Sequence, residues 1–409
     1  MRGFASFSPA ARLLMVNQFG INLGFYILMP FLAAHLAGLG VPAAVAGLVL
    51  GLRNLTQQGM FLPGGMLADR FGGKPLIVAG CVLRTGGFAL LGLATALPWQ
   101  LAGAVATGLA GALFNPAVRG LLAAEAGERR VEAFALFNVF YQAGMLAGPV
   151  AGLALSMLDF RVASLAAAGV FAVLAVWQAL ALPAREERGP ARPVAEGLRA
   201  LRRSGGLMRF ATAMAAAYLL SFQVYLLLPL TLRAAMPERA ALLTAGMFAL
   251  TGAVTIAGQV RLTAALKRRL APGRAVAFGV AGLAASFLIV PIGLTIGPMW
   301  TVAAVLFTAA GITVATMVAF PFEMDIVIAR APEGLAATFY GAYSTVAGIG
   351  ITAGNLLTGA LADATGPPVP WLVLAGIGGL AALALFRAAG RDGRTRARPA
   401  SVAAAQARP

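Results

Sequence analysis

Two carboxylates, Glu323 and Asp325, stand two residues apart inside an otherwise apolar run, TMVAFPFEMDIVIA. A charge inside lipid costs about 2.5 kcal/mol or more on insertion scales, so it needs a partner, water or a task. A carboxyl in a partly dry cleft can take up and release a proton. Glu323 is therefore the first candidate for a proton carrier and Asp325 the second. Pairing with Arg119 or Arg330 as a structural latch is an equally open reading. Arg53 and Arg84 also lie within apolar runs, and Arg119 lies near the end of another. A guanidinium there could hold an anionic group, or pack against carbonyls and the nearby Gln57 and Gln58. Asn22, Tyr26, Tyr141 and Gln142 could line a cavity or face neighbouring helices. The chain has one cysteine, Cys81, and one histidine, His35. That leaves no disulfide within the chain, no two-histidine metal site, and no expected cofactor. No GxSxG elbow and no GxxxxGK[ST] phosphate loop appears, which speaks against an enzyme or an ATPase.

The elements that must position these residues are long and apolar. Of 409 residues, 60% are hydrophobic and only 11% charged, and the mean hydropathy is +0.85. Runs of about 20 residues recur throughout, each long enough to cross a hydrocarbon layer of ~30 Å. They are apolar all round, which favours helices over the alternation of a barrel. The expected spans are 12–36, 42–67, 75–96, 99–123, 132–156, 161–182, 207–233, 240–264, 275–296, 299–328, 335–361 and 370–387. The first is too long for a cleaved leader and is expected to be retained. Trp99, Trp300 and Trp371 begin spans and suit interfacial anchoring better than ligand contact.

The net charge of +17 does not mark a nucleic-acid binder, because the basic residues sit between the apolar runs and in a tail. One set of loops holds Arg2, Arg12, Arg70, Lys74, Arg129, Arg130, the stretch 184–206, Lys267 to Arg269, Arg274, Arg330 and the tail from Arg387. The other holds Arg161, Arg233 and Arg239 as its only basic residues. This asymmetry predicts cytoplasmic termini and an even number of crossings; twelve fits. The Ala-, Gly- and Arg-rich usage fits a bacterial chain, hence an inner-membrane location. The expected organisation is a six-helix bundle over 1–183, a cytoplasmic linker 184–206, a second bundle over 207–388 and a disordered basic tail 389–409. The halves are related. A shift of 199 sets LADRFGGKPLIVAG on LKRRLAPGRAVAFG, and a shift of 205 sets Pro116 on Pro321. Parallel repeats of this kind place a substrate site near the bilayer midplane.

Three motifs carry more. Gly65-Met-Leu-Ala-Asp69-Arg70-Phe-Gly72-Gly-Lys74 joins the second and third spans; its acidic residue suits a helix N-terminus. Gly144, Gly148, Pro149 and Gly152 lie in the fifth span, where small residues four apart allow close packing. Leu23-Gly24 to Pro30 lies in the first. The first motif resembles the loop signature of the major facilitator superfamily. The other two resemble signatures of its twelve-helix drug:proton antiporters. GLRNLTQQG, ADRFGGKPLIVAG and PAVRGLL look most like the bacterial multidrug resistance protein H subgroup.

The resemblance implies an all-α membrane protein of twelve helices in two pseudo-symmetric six-helix bundles. It implies Asp69 docking on the eleventh helix near Gly334, with Glu125 as candidate acidic partner for Arg70 or Lys74. It implies a monomer in lipid that exports small amphipathic molecules against protons, with uptake or facilitated diffusion of a metabolite as the alternative. Two positions depart from the pattern. Gly73 stands where the family has a basic residue. Ala104 stands where the antiporters carry an arginine linked to proton coupling.

Overall fold

The computed structural model describes residues 2–41, 43–156, 158–183 and 194–406. Residues 184–193 of the linker 184–206 therefore lie outside the described residues, and 194–203 form a helix. Among those described, every regular element is helical. In order they are α1 (Arg2–Ala5), α2 (Pro9–Gly38), α3 (Ala43–Gly59), α4 (Phe61–Phe71), α5 (Gly73–Leu93), α6 (Leu97–Ala126), α7 (Arg130–Ser156) and α8 (Phe160–Ala181). There follow α9 (Val194–Arg203), α10 (Gly205–Ser221), α11 (Leu227–Ala235), α12 (Ala240–Arg269), α13 (Pro272–Ser286) and α14 (Ile289–Ile296). The chain ends with α15 (Pro298–Ala329), α16 (Ala336–Ala364) and α17 (Pro368–Gln406).

Ten stretches among the described residues are long and apolar enough to cross a membrane. One of them, Leu97–Leu155, is two helices, α6 and α7, joined by a 3-10 turn. The pair α3 and α4 adds a further crossing, so the count is twelve. Three expected spans are each split in two. The breaks fall at Met60, at the 3-10 segment Phe222–Tyr225, and at Phe287–Leu288. Each ends three or four residues before a proline: Pro63, Pro229 and Pro291. Proline has no N–H for the carbonyl four residues back, and its ring crowds that carbonyl. The final helix continues through 389–406, the stretch whose composition predicts a disordered tail; its alanines and arginines are strong helix formers.

The chain forms two compact units. The first comprises Met1–Met208, Phe248–Val260 and Val327–Ile349; the second comprises Arg209–Met247, Arg261–Ile326 and Gly350–Pro409. In the first, Phe88 meets Phe171 edge to face at 5.4 Å. In the second, Phe287 meets Trp371 at 5.5 Å. Trp371 is 1% exposed, so it is a core residue and not the interfacial anchor its position predicted; Trp99 and Trp300 are exposed. Helix α8 shows why the whole is so hydrophobic. One face (Ala163, Ala167, Phe171) is buried, and the other (Val173, Val176, Leu180) is exposed yet equally apolar. Such a surface belongs in hydrocarbon.

The internal repeat is visible as a repeated contact. In the first unit Gly80 packs on the Ala110 carbonyl and Phe114. In the second Gly279 packs on the Ala315 carbonyl and Ala319. The partners are separated by the same 205 residues that relate Pro116 to Pro321.

The α2–α7 seam is the tightest test of this packing. A Cβ on Gly148 would overlap Tyr26 and stand 3.1 Å from the Leu23 carbonyl oxygen. Overpacking of this kind costs about 1–3 kcal/mol. Gly148→Val is expected to lower the thermal unfolding midpoint of the purified protein, whereas Gly169→Val, facing open space, is expected to leave it nearly unchanged.

Candidate functional site

The Asp69 segment is built on α4 and its turn into α5. Gly72 turns the chain with φ +93°. Asp69 accepts two hydrogen bonds, from the Ala337 amide to Oδ1 at 3.1 Å and from the Thr338 amide to Oδ2 at 2.6 Å. These are first-turn amides of α16, which begins just after Gly334 (φ +78°). A helix leaves its first four N–H groups unpaired, and a carboxylate there stabilises by about 0.3–1 kcal/mol, and up to ~2 when partly buried. Asp69 reaches these amides because the backbones touch. Gly65 lies directly beneath the Ala337 carbonyl, and Gly341 beneath that of Phe61. The Thr345 hydroxyl extends the same antiparallel register to the Gln58 carbonyl at 3.4 Å.

The basic residues of the motif are engaged otherwise than expected. Lys74 donates to the Leu182 carbonyl at 2.6 Å, one of the open carbonyls beyond α8. Arg70 lies over the Phe71 ring. Glu125 accepts from the Ser8 hydroxyl at 2.8 Å. Its partner is thus the residue just before α2, in place of Arg70 or Lys74, because the start of α2 is set against the end of α6.

Gly144, Gly148 and Gly152 of α7 make the seam with α2, meeting Asn22, Tyr26 and Phe31 in turn. Asn22 is 5% exposed and donates to the Gln18 carbonyl. It and Tyr26 therefore belong to a packed seam. Pro149 sits within α7 without interrupting it. A second face of α7 carries polar residues that sequence reasoning did not pair. Asn138 donates to Gln259 at 2.7 Å, and Gln142 donates to Thr255 at 3.4 Å. Both pairs are four residues apart on antiparallel helices. That spacing of amides in apolar runs was the available signal.

Arg53 and Arg84 are brought together around α6. Arg53 donates to Gln57 and to Asn54 and lies over the Phe25 ring at 4.5 Å. Arg84, 2% exposed, donates to the Thr107 carbonyl at 3.0 Å. It contacts the faces of Phe114, Phe171 and Phe25. A Cβ on Gly111 would lie 2.7 Å from both Arg84 Nη2 and Gln57 Oε1. The absent side chain is the space they use. Arg119 is not part of this group. It donates to Asn115 at 3.0 Å and lies against the rings of Phe137 and Tyr340.

In the second unit Glu323 is fully enclosed. The Tyr218 hydroxyl of α10 donates to its Oε1 at 2.9 Å, and the Tyr218 ring stacks on Phe320, one turn earlier on α15. Asp325 is half-buried. The two carboxylates are separated by environment as well as by position, with only Glu323 sealed from solvent.

The Major Facilitator Superfamily model matches residues 14–354. An uncharacterized MFS-type transporter of Mycobacterium tuberculosis is 52% identical over 368 residues, covering 88% of this chain and 88% of that one. Multidrug resistance protein MdtH of Shigella dysenteriae is 34% identical over 219 residues, covering 53% of this chain and 54% of that one. The crystal structure of the transporter FucP superposes with a TM-score of 0.74 at 17% identity, covering 92% of this chain and 97% of FucP. At that identity the likeness speaks for the fold alone.

The Asp69 cap has a local signature. Asp69→Ala removes the acceptor for two amides, a loss of about 0.5–2 kcal/mol for a helix cap. Hydrogen exchange at the Ala337 and Thr338 amides is expected to accelerate, while exchange at the centre of α16 stays slow. Unchanged protection at both amides would show that the carboxylate does not hold this helix end.

Proposed function

Because this chain belongs to the major facilitator superfamily, we propose that it is a proton-coupled exporter of small amphipathic compounds that works by alternating access. Membership makes it a multi-pass membrane transporter, in contact with lipid and moving a small-molecule substrate, and not an enzyme. The cargo class draws support from the multidrug resistance proteins that align with about half of the chain. The loop charges support an orientation with both termini in the cytoplasm, and the family resemblance a monomer in a bacterial inner membrane. Two bundles, 1–183 and 207–388, rock about a midplane site.

The observation that carries proton coupling is the enclosed Glu323 with the Tyr218 hydroxyl on its Oε1. A hydrogen bond to a charged carboxylate is roughly twice as strong as one to a neutral acid. The proton that neutralises Glu323 therefore also weakens the tie between α10 and α15. A single protonation thus changes both the charge inside the membrane and the hold between two helices, which is what a coupling group must do. The Asp69 cap supplies an opposing bias, because its two bonds exist only while α4 and the start of α16 touch.

The test uses energised inside-out vesicles, a pH-quenched dye and a panel of cationic, neutral and anionic compounds. A transported compound is expected to restore fluorescence as protons leave with exchange. Glu323→Gln is expected to abolish that recovery, and Tyr218→Phe to shift its pH dependence. Full recovery in Glu323→Gln would remove Glu323 as the proton carrier. Equilibration of a compound across the membrane without proton movement would favour a facilitated carrier, a reading for which Ala104, standing where the antiporters carry arginine, is the specific observation.

A further inference from the structure

We propose that Arg53 and Arg84, set about Phe25, form a binding site for the carboxylate of an organic anion. Both guanidiniums bear on one ring, at 4.5 and 5.7 Å from its centre. The hydrogen-bond acceptors they meet are neutral: Asn54 and Gln57 for Arg53, the Thr107 carbonyl for Arg84. The Nε of each is buried and makes no hydrogen bond among the described residues. Two like charges inside apolar helices, each with an unused donor, form a site that an anion completes.

Packing alone does not call for this arrangement. In the second repeat, the offset that sets Gly80 on Gly279 sets Arg84 on Leu283. Leu283 is fully enclosed. The fold therefore fills the equivalent position with a plain hydrocarbon. The guanidinium at 84 is an addition, and Gly111 makes room for it.

The chemistry selects the ligand. A guanidinium fork matches the two oxygens of a carboxylate, and the phenyl faces beside it suit an aromatic body. Two fixed positive charges oppose a cation at the same place. Cargo bound here is anionic or zwitterionic, with its carboxylate toward Arg53, the partly exposed member of the pair. This deepens the export reading by naming a charge class, and rests on it only for the claim that the bound molecule is transported.

The test is calorimetric titration of the purified full chain in detergent with three matched probes: 1-naphthoate, 1-naphthylmethanol and 1-naphthylmethylammonium. Naphthoate is expected to bind and the ammonium not. Arg53→Gln is expected to weaken naphthoate on the order of 30-fold or more, the range for removing one partner of an enclosed charge pair. Arg53→Lys, keeping charge without the fork, is expected to lose less. Gly111→Ala, whose Cβ would stand 2.7 Å from Arg84 Nη2 and Gln57 Oε1 and so displaces them, is expected to weaken naphthoate as well. Arg84→Gln and Gly111→Ala are scored only where they elute as folded species; the two Arg53 variants decide the question without them. Equal binding of all three probes, or naphthoate binding indifferent to Arg53→Gln, overturns the site. Arginine-dependent naphthoate binding with no proton movement in vesicles supports the site and fails the export reading. Proton movement driven by the ammonium probe, with no naphthoate binding, does the reverse.

Discussion

In hydrocarbon one helix gains nothing by exchanging lipid for another helix of equal apolarity, so packing depends on how closely backbones approach. That constraint organises this protein. The α2–α7 seam exists because Gly144, Gly148 and Gly152 present no side chain to α2. The α4–α16 contact exists because Gly65 and Gly341 lie under opposing carbonyls. Functional groups then use the proximity the glycines create. Asp69 is short, and it reaches two amides of α16 only because Gly65, one turn away, has brought the backbones together. Arg84 reaches the α6 carbonyl of Thr107 through the room that Gly111, with no side chain, leaves for its guanidinium. In each case the chemistry of a charged residue depends on a missing methyl group on another helix or one turn away.

Charge is handled in three different ways. Asp69 is met by helix amides, a partner that depends on where a helix starts. Glu323 is met by a hydroxyl whose bond weakens when the carboxyl is neutralised. Arg53 and Arg84 are met by amides, a carbonyl and aromatic faces, with no opposite charge among their described contacts. The first arrangement depends on the contact between two helices. A transporter has to read conformation, driving ion and cargo, and under the proposed function the three environments would divide those tasks among Asp69, Glu323 and the Arg53–Arg84 pair.

Much of this was legible in the residues. Hydropathy marked the twelve crossings, since length and apolarity are all a span requires. The offset between the halves was readable because the contact it preserves, glycine on a carbonyl, tolerates few other residues. The position of Asp69 was readable because the turn around it has a specific residue order. What failed to be readable depended on three-dimensional neighbours. Glu125 looked like a partner for Arg70 or Lys74 because all three lie near helix ends, but Ser8 is nearer. Trp371 looked like an anchor because it begins a span, yet Phe287 covers it. The helix breaks at Met60 and Phe287 were hidden because proline acts on the carbonyl a turn earlier, and four other prolines, 30, 116, 149 and 321, sit inside unbroken helices.

The missing arginine at Ala104 shows how residue and position part company. The motif resemblance assigns a guanidinium to α6, and by that criterion the coupling machinery is incomplete. Geometry gives a different account. Arg84 belongs to α5, but its guanidinium is hydrogen-bonded to the α6 backbone at Thr107 and lies beside Gly111. Thr107 is one turn from Ala104, whose small enclosed side chain adds no charge of its own. A positive group is thus delivered to the same helix from its neighbour. Electrostatic work depends on where a charge is and what surrounds it, not on which backbone carries it. A substitution that looks like loss along one helix is therefore compatible with a positive charge kept in place, carried by a longer side chain across a seam that glycine keeps open.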